Sequence, residues 1–326
     1  MNKATATAPT NIAFIKYWGR KDETLRLPEN GSISLCISEL ITTTTVEFRD
    51  ELTEDDVVIN GTRHEGESSR VTLHLDRIRS QAGITTFARV ASTNSFPTAT
   101  GLSSSASGFA ALTVAAAAAA GLQLSEKELS ILARQGSGSA CRSIPGGWVE
   151  WLDGNTSEDS YAVSLYPADY WDIVDVVAVV STGRKDVSTS EGQKLISTSP
   201  FFEARKAGMK QKITDIKQAI GARDFTQFGQ ITEAEALNMH AVMLTSNPAL
   251  IYWTSGTLEI MKLCSLWRQA GLEVYFTINT GQDIHLLVQK KDQDALIQKL
   301  KELECVRDIF VNTPTHGTQI IDSHLF

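Results

Sequence analysis

Hydrophobic and polar positions divide the chain into two stretches of different texture. In the first, β-branched runs alternate with turns. Residues 42–48 predict a strand, and residues 56–61 a strand ending in an Asn-Gly hairpin turn. Val71, Leu75 and Ile78 recur at helical spacing within 70–82, with Gly83 as the stop. Residues 87–92 predict another strand, which leads through a serine-rich turn into the alanine run 109–120, read as helix. Ser125 followed by Glu128 has the pattern of a capping box. Residues 136–142 read as a further helix start ahead of Gly146-Gly-Trp-Val-Glu-Trp151. The second stretch opens on residues 173–181, a run so continuously apolar that its strand is expected to be covered on both faces. Helices follow at 200–220, 224–243 and 256–270. A strand pair at 274–279 and 285–289 turns around Gly281, and a last helix spans 292–303. Strands and helices mix without regular βαβ alternation, which predicts the α+β class.

Composition narrows the function classes. The 326 residues suit one large domain or two fused lobes, and 42% hydrophobic with 21% charged residues describes an ordinary soluble globular protein. A net charge of −8 argues against nucleic acid as the main partner. It leaves room for an anionic small substrate held by local basic residues. The cysteines Cys36, Cys141, Cys264 and Cys305 lack CxxC spacing and read as reduced thiols in a cytosolic protein, with no zinc site. The apolar run 12–15 is too short for a signal peptide and is interrupted by Lys16. The alanine run falls short of the roughly 20 residues that span a bilayer. A cytoplasmic protein with no membrane partner is expected.

Candidate chemistry lies in three places. The turn 96–108, with two glycines and a serine cluster, runs into the alanine helix. Free N–H groups, small residues and hydroxyls at a helix start suit an anion, although no Gly-Lys-Ser/Thr follows and the turn is not a dinucleotide fingerprint. Read alone, it fits a capped helix start equally well. Lys16, Tyr17, Trp18 and Arg20 follow a short apolar run, and this donor set suits a phosphorylated ligand; alone, it reads as a strand end with solvated charges. Residues 136–142 supply hydroxyls, flexible positions and Arg142, and equally fit a helix cap with a structural ion pair. Residues 184–192 read alone as a solvated surface loop.

Together these pieces resemble the mevalonate diphosphate decarboxylases, a branch of the GHMP kinase superfamily. The matching blocks are Asn11-Ile-Ala-Phe-Ile-Lys-Tyr-Trp-Gly19, Pro97-Thr-Ala-Thr-Gly-Leu-Ser-Ser-Ser-Ala106, Gly136-Ser-Gly-Ser-Ala-Cys-Arg-Ser143 and Asp186-Val-Ser-Thr-Ser-Glu-Gly192. They occur in the family's order, and the likeness runs from about residue 4 to about residue 290. The resemblance implies a two-lobed α+β GHMP kinase fold. Its ATP-binding lobe (1–180) would be like ribosomal protein S5 domain 2, and its second lobe (181–326) ferredoxin-like. It further implies ATP with magnesium, a phosphorylated mevalonate as substrate, and a homodimer. The expected reaction phosphorylates the 3-hydroxyl, expels that phosphate, and releases the carboxylate as carbon dioxide to give isopentenyl phosphate or diphosphate. By the same resemblance, Gly101, Ser103, Ser104 and Ser105 would cradle the ATP phosphates, with Ser105 helping to order magnesium. Lys16 would offset charge at the transferring phosphoryl group, and Arg142 would clamp the substrate carboxylate. Tyr17, Arg20, Ser137 and Ser139 would hold the 5-phosphate end, with Ser188 and Thr189 facing the substrate from the second lobe.

One departure stands out. Within Phe276-Thr-Ile-Asn-Thr-Gly-Gln-Asp283, Asn279 occupies the place where the family has an aspartate that orients or deprotonates the 3-hydroxyl. Asparagine accepts a hydrogen bond but cannot take that proton at neutral pH. Thr280, Gln282 and Asp283 also differ from the family, which points to natural divergence, with a deliberately disabled variant of an unusual homologue as the alternative. Three outcomes follow: decarboxylation sustained by positioning and charge, a 3-kinase that stops at phosphorylation, or ligand binding without turnover. Retained Lys16 and Arg142 favour the first. Asp283 reads as a turn residue. Arg20, Arg184 and Lys185 could serve a second phosphate, whereas Ser190 stands where some members have arginine, which favours the smaller substrate. His240 is expected to be structural and His285 a satisfied buried histidine. Trp148, Trp151, Trp253 and Trp267 read as core or interface residues, and Glu150 as a weak magnesium candidate.

Overall fold

The computed structural model describes residues 3–63, 65–96, 104–181, 183 and 187–326. In chain order the first elements are β1 (Lys3–Ile15), β2 (Arg20–Asp22), β3 (Leu27–Pro28), β4 (Ser32–Arg49), β5 (Asp56–Ile59), β6 (Thr62–Arg63), α1 (Glu65–Ala82), β7 (Phe87–Asn94), α2 (Ser104–Ala119), α3 (Glu126–Gly136), β8 (Trp148–Trp151) and β9 (Ala162–Tyr166). There follow β10 (Ile173–Val179), α4 (Thr189–Gln193), α5 (Phe202–Ala222), α6 (Phe225–Leu244), α7 (Ser255–Gln269), β11 (Tyr275–Thr277), β12 (Ile284–Gln289), α8 (Gln293–Lys301), β13 (Asp308–Asn312) and β14 (Gln319–Ile321).

Two sheets organise these elements. The larger runs β14-β1-β4-β7-β5-β6, with β8 and β9 continuing from the other end of β4. The smaller runs β11-β12-β10-β13, antiparallel throughout. The hairpin expected at Asn60-Gly61 joins β5 to β6, and both residues take the positive φ such a turn needs. Every residue of β10 is buried, as its apolar run requires. Residues 136–142 form not an α-helix start but the end of α3 followed by a 3-10 turn, Gly138–Ser143. The break expected at residue 180 does not follow the sheets: β10 precedes it and belongs to the smaller sheet, while β14 returns to pair with β1 in the larger.

Packing explains the alanine run. Helix α2 is buried on nearly all sides, against β1 and β4 on one face and α1 and α3 on the other, within one apolar cluster. Methyl side chains let a helix approach a sheet closely while losing almost no side-chain entropy. A second cluster joins the sheets: Ile12, Phe14 and Leu35 meet Trp148, Trp171, Phe228 and Tyr275. The rings of Phe14 and Phe228 stand edge to face at 4.8 Å, a favourable arrangement for two aromatic quadrupoles. β1 carries register shifts after Pro9 and after Ala13. Such irregularities bend a strand and re-aim its end, and here that end delivers Lys16 between the two sheets.

Candidate active site

Lys16 follows the last residue of β1 and is almost wholly buried, at 1% exposure. Its Nζ donates to Asn279 Oδ1 at 3.0 Å, across from the segment between β11 and β12. Its backbone is pinned from three sides. The Lys16 N–H donates to Glu235 Oε1, while its carbonyl accepts from Asn30 Nδ2 and Arg205 Nη2. Glu235 of α6 is in turn held by Arg205 and Lys212 of α5. Two cations therefore share the carboxylate nearest Lys16. Burial, opposed by Glu235 and reinforced by Arg142, pushes the Lys16 ammonium down to about 7.

Arg142 rises from the 3-10 turn into the same wall and is buried. Nε donates to Asn11 Oδ1 and Nη1 to Ser32 Oγ, while the guanidinium lies 5.8 Å from the Trp151 ring. These bonds fix the plane of the fork and leave Nη2 outside the hydrogen bonds among the described residues. Neither Arg142 nor Lys16 has a carboxylate ion-pair partner among the described residues. An unpaired buried charge is costly, so a wall built this way suits an anionic occupant.

Tyr17 packs edge-on against Trp151, and Arg20 Nε donates to its Oη at 2.8 Å. Arg20 also pairs with Glu23 and reaches Ser190 Oγ. Gly138 lies flat on the Tyr17 ring. Ser137 Oγ stands 3.5 Å from Ser105 Oγ at the start of α2, where Ser104 is half-buried and Ser105 exposed. α2 therefore begins with hydroxyls and, over its first turn, no acidic residue, a donor set that fits a nucleotide phosphate chain. Ser139 is half-buried, and its carbonyl accepts from Asn11. Thr189 bonds Thr280 at 2.7 Å, tying α4 to the Asn279 segment. Ser188 is exposed and caps α4, its hydroxyl engaged with Glu191. Gly101, Ser103, Arg184, Lys185 and Asp186 lie outside the described residues.

Arg26 escaped the motifs, whereas His240, His285, Glu150 and Asp283 are among the residues that the sequence singles out. Arg26 is pushed down to about 10 by burial and by the charges of Arg20, Arg70 and Arg77, and with Arg20 it acts on Tyr17. His240 of α6 lies against the Trp253 ring, and its Nε2 meets the Asn279 carbonyl at 3.0 Å. Burial pushes His240 down to about 3. It is therefore neutral and donates there, holding the Asn279 backbone in place. His285 sits buried against Asp175. Glu150 is buried in β8, where its carboxylate pairs with Lys217 of α5. Asp283 accepts from the Val180 N–H and so fixes the end of β10.

Residues 8–162 match the Diphosphomevalonate decarboxylase-like N-terminal domain. Residues 175–321 match the Mevalonate 5-diphosphate decarboxylase C-terminal domain. The chain belongs to the mevalonate diphosphate decarboxylase family. A diphosphomevalonate decarboxylase of Debaryomyces hansenii is 36% identical over 319 residues, covering 90% of this chain and 81% of that protein. Among solved structures, MDDEF in complex with MVAPP, AMPPCP and magnesium superposes with a TM-score of 0.93 at 39% identity, over 98% of this chain and 99% of that one. The mevalonate diphosphate decarboxylase of Staphylococcus aureus matches equally well, with a TM-score of 0.93 at 38% identity over 98% of each chain. The two-lobed α+β fold expected from the motifs is thus the family's own.

Proposed function

We propose that this protein catalyses the ATP-dependent decarboxylation of mevalonate 5-diphosphate to isopentenyl diphosphate, through phosphorylation of the 3-hydroxyl. The observation that carries this reading is Arg142, a buried guanidinium with no carboxylate partner among the described residues, on one wall with Lys16 beside Asn279. Arg142, its plane set by Asn11 and Ser32, presents a donor edge to the substrate carboxylate. A pure kinase has less need of such a clamp. Tyr17, Arg20, Ser137 and Ser139 bind the phosphorylated end. Arg26 adds to the positive potential beside Tyr17, and this supports the diphosphate despite Ser190. The relative in complex with MVAPP supports the same choice. Ser188 and Thr189 close the pocket from the second lobe.

Ser104 and Ser105, with Gly101 and Ser103 before them, hold the nucleotide phosphates and the magnesium that accompanies them. When bound, MgATP supplies the phosphoryl group. The neighbour carrying AMPPCP and magnesium supports this assignment. The larger sheet and the smaller sheet, each with its helices, act as the two lobes of the cleft, with β14 tying the end of the chain back to the first. The proposal includes a cytoplasmic homodimer, supported by the family likeness and by four cysteines without a disulfide. Among the described residues, no helix is long and apolar enough to cross a membrane.

The test measures ADP and carbon dioxide with mevalonate, its 5-phosphate and its 5-diphosphate. Equal release of both products, fastest with the diphosphate, is the expected result. ADP without carbon dioxide would make the protein a 3-kinase, the reading that Asn279 favours. Binding without ADP would overturn the enzymatic reading.

A further inference from the structure

Resting on the decarboxylase reading, we infer that Lys16, as a neutral amine, is the base that takes the proton of the substrate hydroxyl. Asn279 cannot do so, because an amide oxygen is not basic near neutral pH. The other candidates among the described residues are committed elsewhere. Glu235 is clasped by Arg205 and Lys212, and Asp175 is paired with His285. Asp283 faces the Val180 N–H, and His240 is turned to the Asn279 carbonyl. Lys16 places its titratable atom at hydrogen-bond distance from the Asn279 side chain, where a hydroxyl would stand.

The charges facing Lys16 come from every element around it. Arg142 approaches from the 3-10 turn, Arg205 from α5, Glu235 from α6 and Asp175 from β10, with neutral His240 beside them. Burial outweighs the rest, and the ammonium falls to about 7. Substantial free amine is therefore present at neutral pH. Its bond to Asn279 Oδ1 uses one N–H and leaves the lone pair to the two remaining staggered positions about Cε–Nζ. As the amine takes the proton, the alcohol oxygen bonds to the γ-phosphorus and the bridging oxygen leaves on ADP with its electron pair. The ammonium so formed lies beside the new phosphate. That phosphate then departs with the C3–O pair, the C1–C2 pair becomes the C2=C3 bond, and carbon dioxide leaves. Lys16 returns its proton to the departing phosphate, which closes the cycle.

Two readouts test this on the full-length enzyme. The first is kcat/KM for ADP release against pH, which reports the free enzyme. It should rise about tenfold between pH 6 and pH 8 with a midpoint near 7, as a base titrating there requires. Lys16→Met should lower it by about 10² to 10⁴-fold. In Asn279→Asp, a carboxylate would hold Lys16 charged and itself become the base, so the limb should leave the neutral range. A profile that falls through pH 7 would make Lys16 a required cation and overturn the inference. So would a limb that stays near 7 in Asn279→Asp, since it would belong to the substrate or another group. The second readout is carbon-13 NMR of labelled lysine Cε, which follows Lys16 without turnover. The Lys16 resonance, assigned with Lys16→Met, should titrate near 7 and move up in Asn279→Asp; a midpoint above about 9 overturns the inference even if no substrate is turned over. Absence of ADP with every phosphorylated mevalonate would instead count against the decarboxylase reading.

Discussion

A Cβ on Gly138 would meet Tyr17 Cε1 at 2.8 Å and Oη at 2.9 Å. The ring is wedged against Trp151 and its hydroxyl is held by Arg20, so it cannot yield freely. Gly138→Ala should push Tyr17 off the phosphate end of the pocket. Overpacking of this kind costs about 1–3 kcal/mol. The expected result is a rise of about tenfold in KM for the phosphorylated substrate with kcat less affected, read by steady-state kinetics. An unchanged KM would remove Tyr17 from the binding site. At this scale the sequence exposed the pocket's own residues, because Lys16, Tyr17, Arg142 and Asn279 sit in distinctive blocks. It hid most of their supports, His240 excepted. Arg205 lies on the buried stripe of α5 with Phe202 and Met209, and Glu235 and His240 lie on that of α6 with Phe228 and Met239. Charged residues at core-facing positions are rarely tolerated without partners. That misplacement was the available signal, but pairing Arg205 with Glu235 needs the third dimension.

At the scale of elements, α4 has five residues and depends on its cap. Ser188 accepts from the Glu191 N–H while Glu191 reaches back to Ser188, and these bonds hold the Glu191 carboxyl below its usual range. The helix carries Thr189 against Thr280, next to Asn279. Loss of such a cap costs about 1 kcal/mol. Ser188→Ala should therefore lower kcat/KM a few-fold while the global melting temperature holds. Ser188→Asn, which can still cap, should restore the rate. Failure of that rescue would make the hydroxyl a direct substrate contact instead. The same contrast between local and distant signals governed how far the fold could be read. The capping box at Ser125, the Asn-Gly hairpin and the apolar run of β10 are local and were legible. β1 was not: its Ala, Thr and Pro residues look like a poor strand, and it forms because β4 and β14 pair with it on both sides. β13 and β14 are short and draw their stability from partners far away in sequence.

For the whole molecule, the consequence of burying titratable groups between packed layers is a stability that depends on pH. His74 lies under α2, its Nε2 against Thr113 Oγ1, and burial pushes it down to about 3; His240 beside the pocket is pushed down equally. Both histidines bind protons more weakly in the fold than in the unfolded chain, where the value is about 6.5. The unfolded state therefore takes up more protons as pH falls below about 6.5, and each histidine removes up to about 1.4 kcal/mol per pH unit down to about 3. Lys16 adds nothing on this side, because well below 7 it is charged in both states; its own contribution grows as pH rises from about 7 toward 10.4. Carboxylates are largely ionised above pH 5, so the histidines dominate the interval from 7 to 5. Urea denaturation at pH 7, 6 and 5 should show a midpoint that falls with an unchanged slope, because the surface exposed on unfolding is the same. His74→Gln with His240→Gln should flatten that dependence, since a glutamine amide replaces each imidazole without a titrating group. Equal midpoints at pH 7 and pH 5 in the unsubstituted protein would mean that the layers around α2 and α6 admit the charged imidazolium, and that burial there is far less complete than the packing of the two sheets implies.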